Sequence, residues 1–108
     1  MSITDKMLKE IETKEKLTIA LHKKLNQLTH LEINESSTRA ELMTDDLTNK
    51  IEGKVTEKAK VAYCDKTLKP QITEIKWLKN DIAKIKNQIG LCDDKSNTYK
   101  YIIRELEL

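Results

Sequence analysis

The stretch that decides the fold is residues 75–92, which read IKWLKNDIAKIKNQIGLC. Apolar residues recur in it at alternating steps of three and four, at Ile75, Leu78, Ile82, Ile85, Ile89 and Cys92. A helix with about 3.6 residues per turn places such positions on one narrow face, which is the seam of a coiled coil. The pattern therefore predicts a helix that packs against another helix along this face.

The same register extends in both directions and predicts a seam over residues 61–106. It adds Val61, Cys64, Leu68, Gln71, Ser96, Tyr99, Ile103 and Leu106, so that twelve of its fourteen positions are apolar when Cys and Tyr are counted. Pro70 and Gly90 interrupt this segment, because proline removes a backbone donor and glycine often ends a helix. Since the register continues across both, we expect one long, locally bent helix, with a three-helix bundle as the alternative.

The N-terminal residues 1–33 predict a separate amphipathic helix. Ser2 with Asp5 has the form of a capping box, and the apolar stripe that follows lapses at Lys14. Residues 34–37 predict a loop, after which a second capping box at Thr38 would begin a long helical region over 38–108. The expected fold is therefore all-α, a helical hairpin with a long, bent coiled-coil helix.

Composition excludes several classes of protein. With 35% charged residues, 38% apolar residues and no Phe, the 108-residue chain can fill narrow helix seams more easily than a deep core. Only two Gly and one Pro are available for the turns of a sheet, and two Cys, Cys64 and Cys92, are too few for a disulfide framework. Charged residues near the N-terminus argue against a signal peptide, and no apolar run reaches the roughly 20 residues of a membrane span. We expect a cytoplasmic protein with no membrane partner.

Residues with catalytic or metal-binding potential are scattered. His22 and His30 are separated by about 80° on a helix, which does not suit a shared metal. The acidic pairs at 45–46 and 93–94 lack the alternating oxygen ligands of a calcium loop. Because no nucleophile elbow, phosphate-binding loop or cysteine knuckle occurs either, we expect no enzymatic activity, no metal and no cofactor.

The favoured functional hypothesis is a helical interaction or assembly protein. Its seam would bind a second copy, as a dimer or larger oligomer, or the helix of another protein, through Ile75, Leu78, Ile82, Ile85, Ile89, Tyr99 and Ile103. Opposite charges at Glu74 and Lys79, and at Asp81 and Lys86, would suit parallel self-pairing. The N-terminal helix is an additional candidate to lie antiparallel along the same seam.

Trp77 and Tyr63 are aromatic residues that lie outside the seam. Trp77 occupies a c position, and Tyr63 lies two heptads earlier on the same face. Packing of Trp77 within the chain is the favoured interpretation, and the other is that both aromatics contact a partner, since binding hot spots are rich in such residues. A small inhibitor or antitoxin-like protein that blocks a protein target through Trp77 is a further alternative.

The segment 49–86 is basic, with ten lysines against five acidic residues. Lysines that repeat every four residues at its start would form a ridge on one helical face, continued further along, at Lys50, Lys54, Lys58, Lys69 and Lys76. Such a ridge would contact phosphates without sequence preference. An accessory nucleic-acid-binding protein is therefore an alternative function, although a solvated lysine face is the favoured interpretation.

Overall fold

Three α-helices make up the computed structural model, which describes residues 2–107. They are α1 (Ile3–Thr44), α2 (Glu57–Thr67) and α3 (Lys69–Glu107), and no strand occurs within those residues. The prediction of an all-α hairpin with a long helix is confirmed. The chain forms two compact units: the first joins residues up to Leu25 with residues from Asn80 onward, and the second is Asn26–Lys79.

The start of α1 is the capping box that the sequence predicts. The backbone N–H of Asp5 donates to Ser2 Oγ at 3.1 Å, and the Ser2 N–H donates back to Asp5 Oδ2 at 3.4 Å. The two bonds satisfy amide donors that a helix N-terminus otherwise leaves unpaired.

The predicted loop at 34–37 is wrong, because α1 continues through it to Thr44. The segment contains neither Gly nor Pro, and within it Glu35 accepts a hydrogen bond from Arg39 Nε at 2.9 Å, one turn later. An ion pair at this spacing supports a helix. The helix ends one turn after this pair, where the Thr44 hydroxyl donates back to the Ala40 and Glu41 carbonyls.

The connection between α1 and α2 is the irregular segment 45–56, so the predicted continuous helical region 38–108 is also wrong here. The Asp46 carboxylate accepts hydrogen bonds from the backbone N–H and hydroxyl of Thr48, an Asx turn that competes with helix formation. Gly53 adopts a positive φ of 80°, which a helix does not contain. Between them the side chain of Leu47 is fully buried and anchors the segment.

A capping threonine begins α2, and a break of a single residue ends it. Thr56 Oγ1 accepts from the Ala59 N–H at 3.1 Å, and Leu68 is the one residue that separates α2 from α3. Pro70 lies in the first turn of α3, where its missing N–H is tolerated. The break thus lies at Leu68, two residues before Pro70, whereas α3 runs through Gly90 without one.

In each unit the chain pairs antiparallel with itself. In the first unit Glu10 contacts Lys95, and further along α1 Lys24 contacts Asp81. In the second unit Arg39 bonds Asp65 of α2 at 2.8 Å, and the later residue Met43 accepts from Lys60 Nζ, which precedes Asp65. The predicted antiparallel placement of the first helix along the seam is thus what both units contain.

The core lies on the predicted seam. Within residues 2–107 seven apolar side chains are buried, and all except Leu47 occupy seam positions: Cys64, Leu68, Leu78, Ile82, Ile85 and Cys92. Because these burials occur within one chain and the described part of the first unit contains no helix besides α1 and α3, α1 is the element that covers the seam there. The same antiparallel contacts with α1 accompany the buried seam residues of the second unit.

Candidate functional site

The residues predicted to bind a partner through the seam are covered inside the chain. Leu78, Ile82 and Ile85 are buried, and the remaining four of the set are half-buried, namely Ile75, Ile89, Tyr99 and Ile103. A second chain could reach the three buried residues only after α1 had left. Oligomerisation through this seam therefore stays a prediction that requires the hairpin to open, and the surfaces that the folded hairpin offers to a partner lie elsewhere.

The face of α1 that covers the seam is unusually polar. Half-buried charged residues interrupt its leucines at heptad positions, at Glu10, Lys14, Lys24 and Glu35. In the first unit each has an oppositely charged neighbour on α3: Lys14 Nζ lies 2.6 Å from Asp93, Lys24 Nζ 3.7 Å from Asp81, and Glu10 3.8 Å from Lys95 Nζ. Because these groups are partly exposed, each pair contributes no more than about 1 kcal/mol. Their main effect is to select the antiparallel register, since a shift would bring unpaired charges into the seam.

Arg39 ties two helices together in the second unit. Its Nη1 donates to Asp65 on α2 at 2.8 Å, while Nε and Nη2 both reach Glu35 on α1 at 2.9 Å. The hydrogen bond to Asp65 is the main cause, and the bonds to Glu35 the next, that raise the pKa of Arg39 further above its ordinary value. The side chain is therefore always charged. Because the Arg39 nitrogens that make these bonds all contact residues of the same unit, the cluster of Arg39, Glu35 and Asp65 has a structural role.

Trp77 is exposed, which overturns the favoured interpretation that it packs within the chain. Its side chain is 69% accessible, whereas Tyr63 on α2 is half-buried. The c position directs Trp77 away from the seam, and the described residues contain no helix besides α1, α2 and α3 that could cover it. The sequence places Trp77 outside the seam, but only the structure shows that nothing packs over it.

The predicted lysine ridge is not formed. Lys50 and Lys54 belong to the irregular segment 45–56, and Lys58 lies in the first turn of α2, so the three do not share a helical face. The prediction assumes one helix through residues 50–58. Two further lysines of that set, Lys69 and Lys76, are exposed on α3 near Trp77.

Groups with chemical reactivity are few and protected. A shallow groove of about 400 Å³ in the first unit runs between α1 and α3, and its walls include Glu10, Cys92 and Lys95. Burial is the main cause that raises the pKa of the Cys92 thiol, and its hydrogen bond with Glu10 is the second. The thiol therefore remains protonated and is a poor nucleophile. Within residues 2–107 no three His, Cys, Asp or Glu side chains converge as a metal would require.

The chain exposes far more surface than a compact protein of its mass. Its accessible area is 8374 Å², against about 6200 Å² expected for a compact 12.5 kDa monomer. Large apolar residues that are exposed include Leu8, Ile11, Ile19, Ile33, Val61, Ile72, Trp77, Leu91, Tyr101 and Leu106.

No helix within residues 2–107 is long and apolar enough to cross a bilayer. Comparison with protein-family models, curated proteins and solved structures finds no match to this chain. Function therefore has to be inferred from the surface residues just described.

Proposed function

We propose that this protein is a non-enzymatic helical interaction protein, which acts by associating with another helix through surfaces outside its own seam. The observation that carries the proposal is the exposure of Trp77. A tryptophan side chain buries roughly 150–250 Å² when it packs, so an exposed one forgoes a large stabilisation. Tryptophan is also enriched among the residues that dominate binding energy in protein interfaces.

The neighbours of Trp77 indicate what kind of partner fits. Thr73 and Lys69 lie one and two turns before it on the same outward side of α3, and Lys76 is adjacent; all three are exposed. Neither of these lysines enters an ion pair within the described residues. An apolar anchor beside free cations suits an amphipathic helix with acidic flanks, since opposite charges favour and orient docking.

Two other candidate functions would use the same surface. An inhibitor or antitoxin-like protein would use Trp77 to block a protein target. A nucleic-acid-binding protein is the second candidate, favoured by an exposed tryptophan beside Lys69 and Lys76, because bases stack on aromatic rings while lysines contact phosphates. The predicted lysine ridge at 50–58, which was the other argument for nucleic-acid binding, is not formed.

Site-specific photocrosslinking tests the proposal. A photoreactive phenylalanine derivative replaces Trp77 in one variant and Leu91, exposed on the same helix in the other unit, in the control. We expect the position-77 variant, in extracts of its source cells, to form a protein adduct that excess wild-type chain suppresses and Trp77→Ala chain does not. A nuclease-sensitive adduct would indicate the nucleic-acid alternative, and equal adducts at both positions would contradict the proposal.

A further inference from the structure

An exposed strip on α1 in the first unit carries one acidic residue among apolar ones. Leu8, Ile11, Glu15 and Ile19 follow one another at steps of three, four and four residues. This spacing places them within a sector of the helix about 80° wide. Glu15 is exposed, and each of the three apolar side chains is at least 39% exposed. The strip is therefore accessible to a partner in the folded chain.

A groove lies within this strip. It has a volume of about 360 Å³ and is lined by Ile11, Lys14, Glu15, Thr18 and Ile19. Its walls are almost entirely apolar. The Thr18 hydroxyl donates to the Lys14 carbonyl at 2.8 Å, so its donor is already used within α1. Contiguous apolar surface of this kind indicates an interaction site, whereas single exposed apolar residues do not.

Glu15 is the charge of this groove that the rest of the chain does not neutralise. On a helix a side chain meets the residues three and four positions away. For Glu15 these positions hold no base; they are Ile11, Glu12, Thr18 and Ile19. Glu15 also enters none of the ion pairs within residues 2–107. Lys14, the cation that lines the groove, has its Nζ 2.6 Å from Asp93 on α3. The groove thus presents one free negative charge between two isoleucines.

A helix is the form of partner that suits this groove. An extended segment laid on apolar walls would leave backbone N–H and C=O groups unpaired, because a helix such as α1 offers no free backbone edge. A partner helix satisfies its own backbone internally. Its residues four positions apart are separated by about 6 Å along the axis, which is also the spacing of Ile11, Glu15 and Ile19.

We propose that this strip of α1 binds an amphipathic helix that presents a lysine or arginine to Glu15. Apolar residues four positions to either side of that base would contact Ile11 and Ile19. The occupant follows from charge complementarity, which contributes more to specificity than to affinity. The inference rests on the proposed function, in which the protein associates with helices, and it adds a second surface. This surface selects a basic centre, whereas the surface around Trp77 selects acidic flanks.

A pair of synthetic helical peptides provides the probe. Both are about 20 residues long and alanine-rich, so that they are helical, with leucine four positions to either side of the centre. The central residue is lysine in one peptide and glutamate in the other. Fluorescence anisotropy of the labelled lysine peptide should show a dissociation constant of about 100 μM, as expected for a small interface. The glutamate peptide should bind about tenfold more weakly.

Charge exchange gives a readout that a structural role of Glu15 would not reproduce. Glu15→Lys should reverse the preference, so that the glutamate peptide binds about tenfold more tightly than the lysine peptide. Glu105→Lys makes the same change on an exposed, unpaired residue of α3 and should leave both constants unchanged. Ile19→Ser removes apolar surface without a change of charge and should weaken both peptides equally, while circular dichroism shows the helices intact.

Three results would overturn the inference. The first is a lysine peptide that does not bind wild-type chain up to about 1 mM, well above the expected constant. The second is a Glu15→Lys chain that keeps the wild-type preference. The third is equal binding of a lysine peptide in which a central proline prevents helix formation. Trp77→Ala should bind the lysine peptide like wild type, so loss of the position-77 adduct counts only against the proposed function.

Discussion

Replacement of Ile82 by alanine measures whether the seam is filled within one chain. Ile82 lies on α3 in the first unit and is 5% exposed, so its side chain is almost wholly buried. The substitution removes three carbons, worth about 0.8 kcal/mol each by transfer, and leaves a cavity. Because a two-helix layer lets the surroundings and water fill part of that cavity, we expect a loss of about 2–3 kcal/mol. For a chain of this length this lowers Tm by roughly 10 °C.

Thermal unfolding followed by circular dichroism is the assay. Tm is measured over about a hundredfold range of protein concentration, within which an intramolecular seam predicts a constant value. Leu91→Ala, at a position 59% exposed on the same helix, is the control and should cost less than about 1 kcal/mol. If Ile82→Ala melted like the control, Ile82 would not belong to a packed core. If it lowered the solution mass while Tm depended on concentration, the seam would be intermolecular. Either result would refute the reasoning.

Three further outcomes are expected. Gly90→Ala should raise Tm by about 4 °C, because Gly90 lies inside α3 with open space around it, whereas Gly53→Ala should lower Tm because of its positive φ. Burial raises the pKa of the Cys92 thiol, so alkylation at about pH 8 should be much slower for folded than for urea-unfolded protein, and equal rates would contradict this. The stability linked to that thiol is lost as the pH rises through its raised pKa. Hydrogen bonds from Thr48, mainly from its hydroxyl and next from its backbone N–H, lower the pKa of Asp46 below the ordinary 3.8. An NMR titration should show this lowered pKa, and Thr48→Ala should raise it.

The heptad register is the most predictive part of the sequence. It assigns Cys64, Leu68, Leu78, Ile82 and Cys92 to one face without any knowledge of the structure, and all five are buried. This works because apolar residues on a narrow face have few other places to pack, whichever partner covers them. The alternation does not say whether that partner is the same chain.

The other half of the core is harder to predict. The stripe on α1 contains Glu10, Lys14 and Lys24 at heptad positions, and an apolar pattern search reads such residues as gaps. The role of each of these charged residues becomes clear only from its oppositely charged partner on α3. Identifying that partner requires the antiparallel register of the two helices. A sequence search for opposite charges at mirrored spacing along two helices could have found the pairing.

Errors in the connections come from local competition. The polar residues at 34–37 predict a loop, although an ion pair one turn long supports the helix there. At residues 45–56 the lysine spacing favours a helix, whereas Asp46 and Gly53 disfavour one and decide the outcome. The predicted lysine ridge fails for the same reason, because its spacing has meaning only on a helix.

The single-residue break at Leu68 has a consequence for how the second unit unfolds. Leu68 is almost completely buried, its N–H donates to the Cys64 carbonyl at 2.8 Å, and its own carbonyl accepts from the Ile72 N–H at 2.9 Å. The break thus keeps the two backbone hydrogen bonds that Leu68 itself makes, and the Leu68 side chain is buried. With only 11 residues, α2 is too short to be stable alone. The amides of α2 should therefore exchange with solvent in one cooperative step with those in the first turns of α3. We expect the break at Leu68 to be rigid in the native state and to open only when the Leu68 side chain leaves the core.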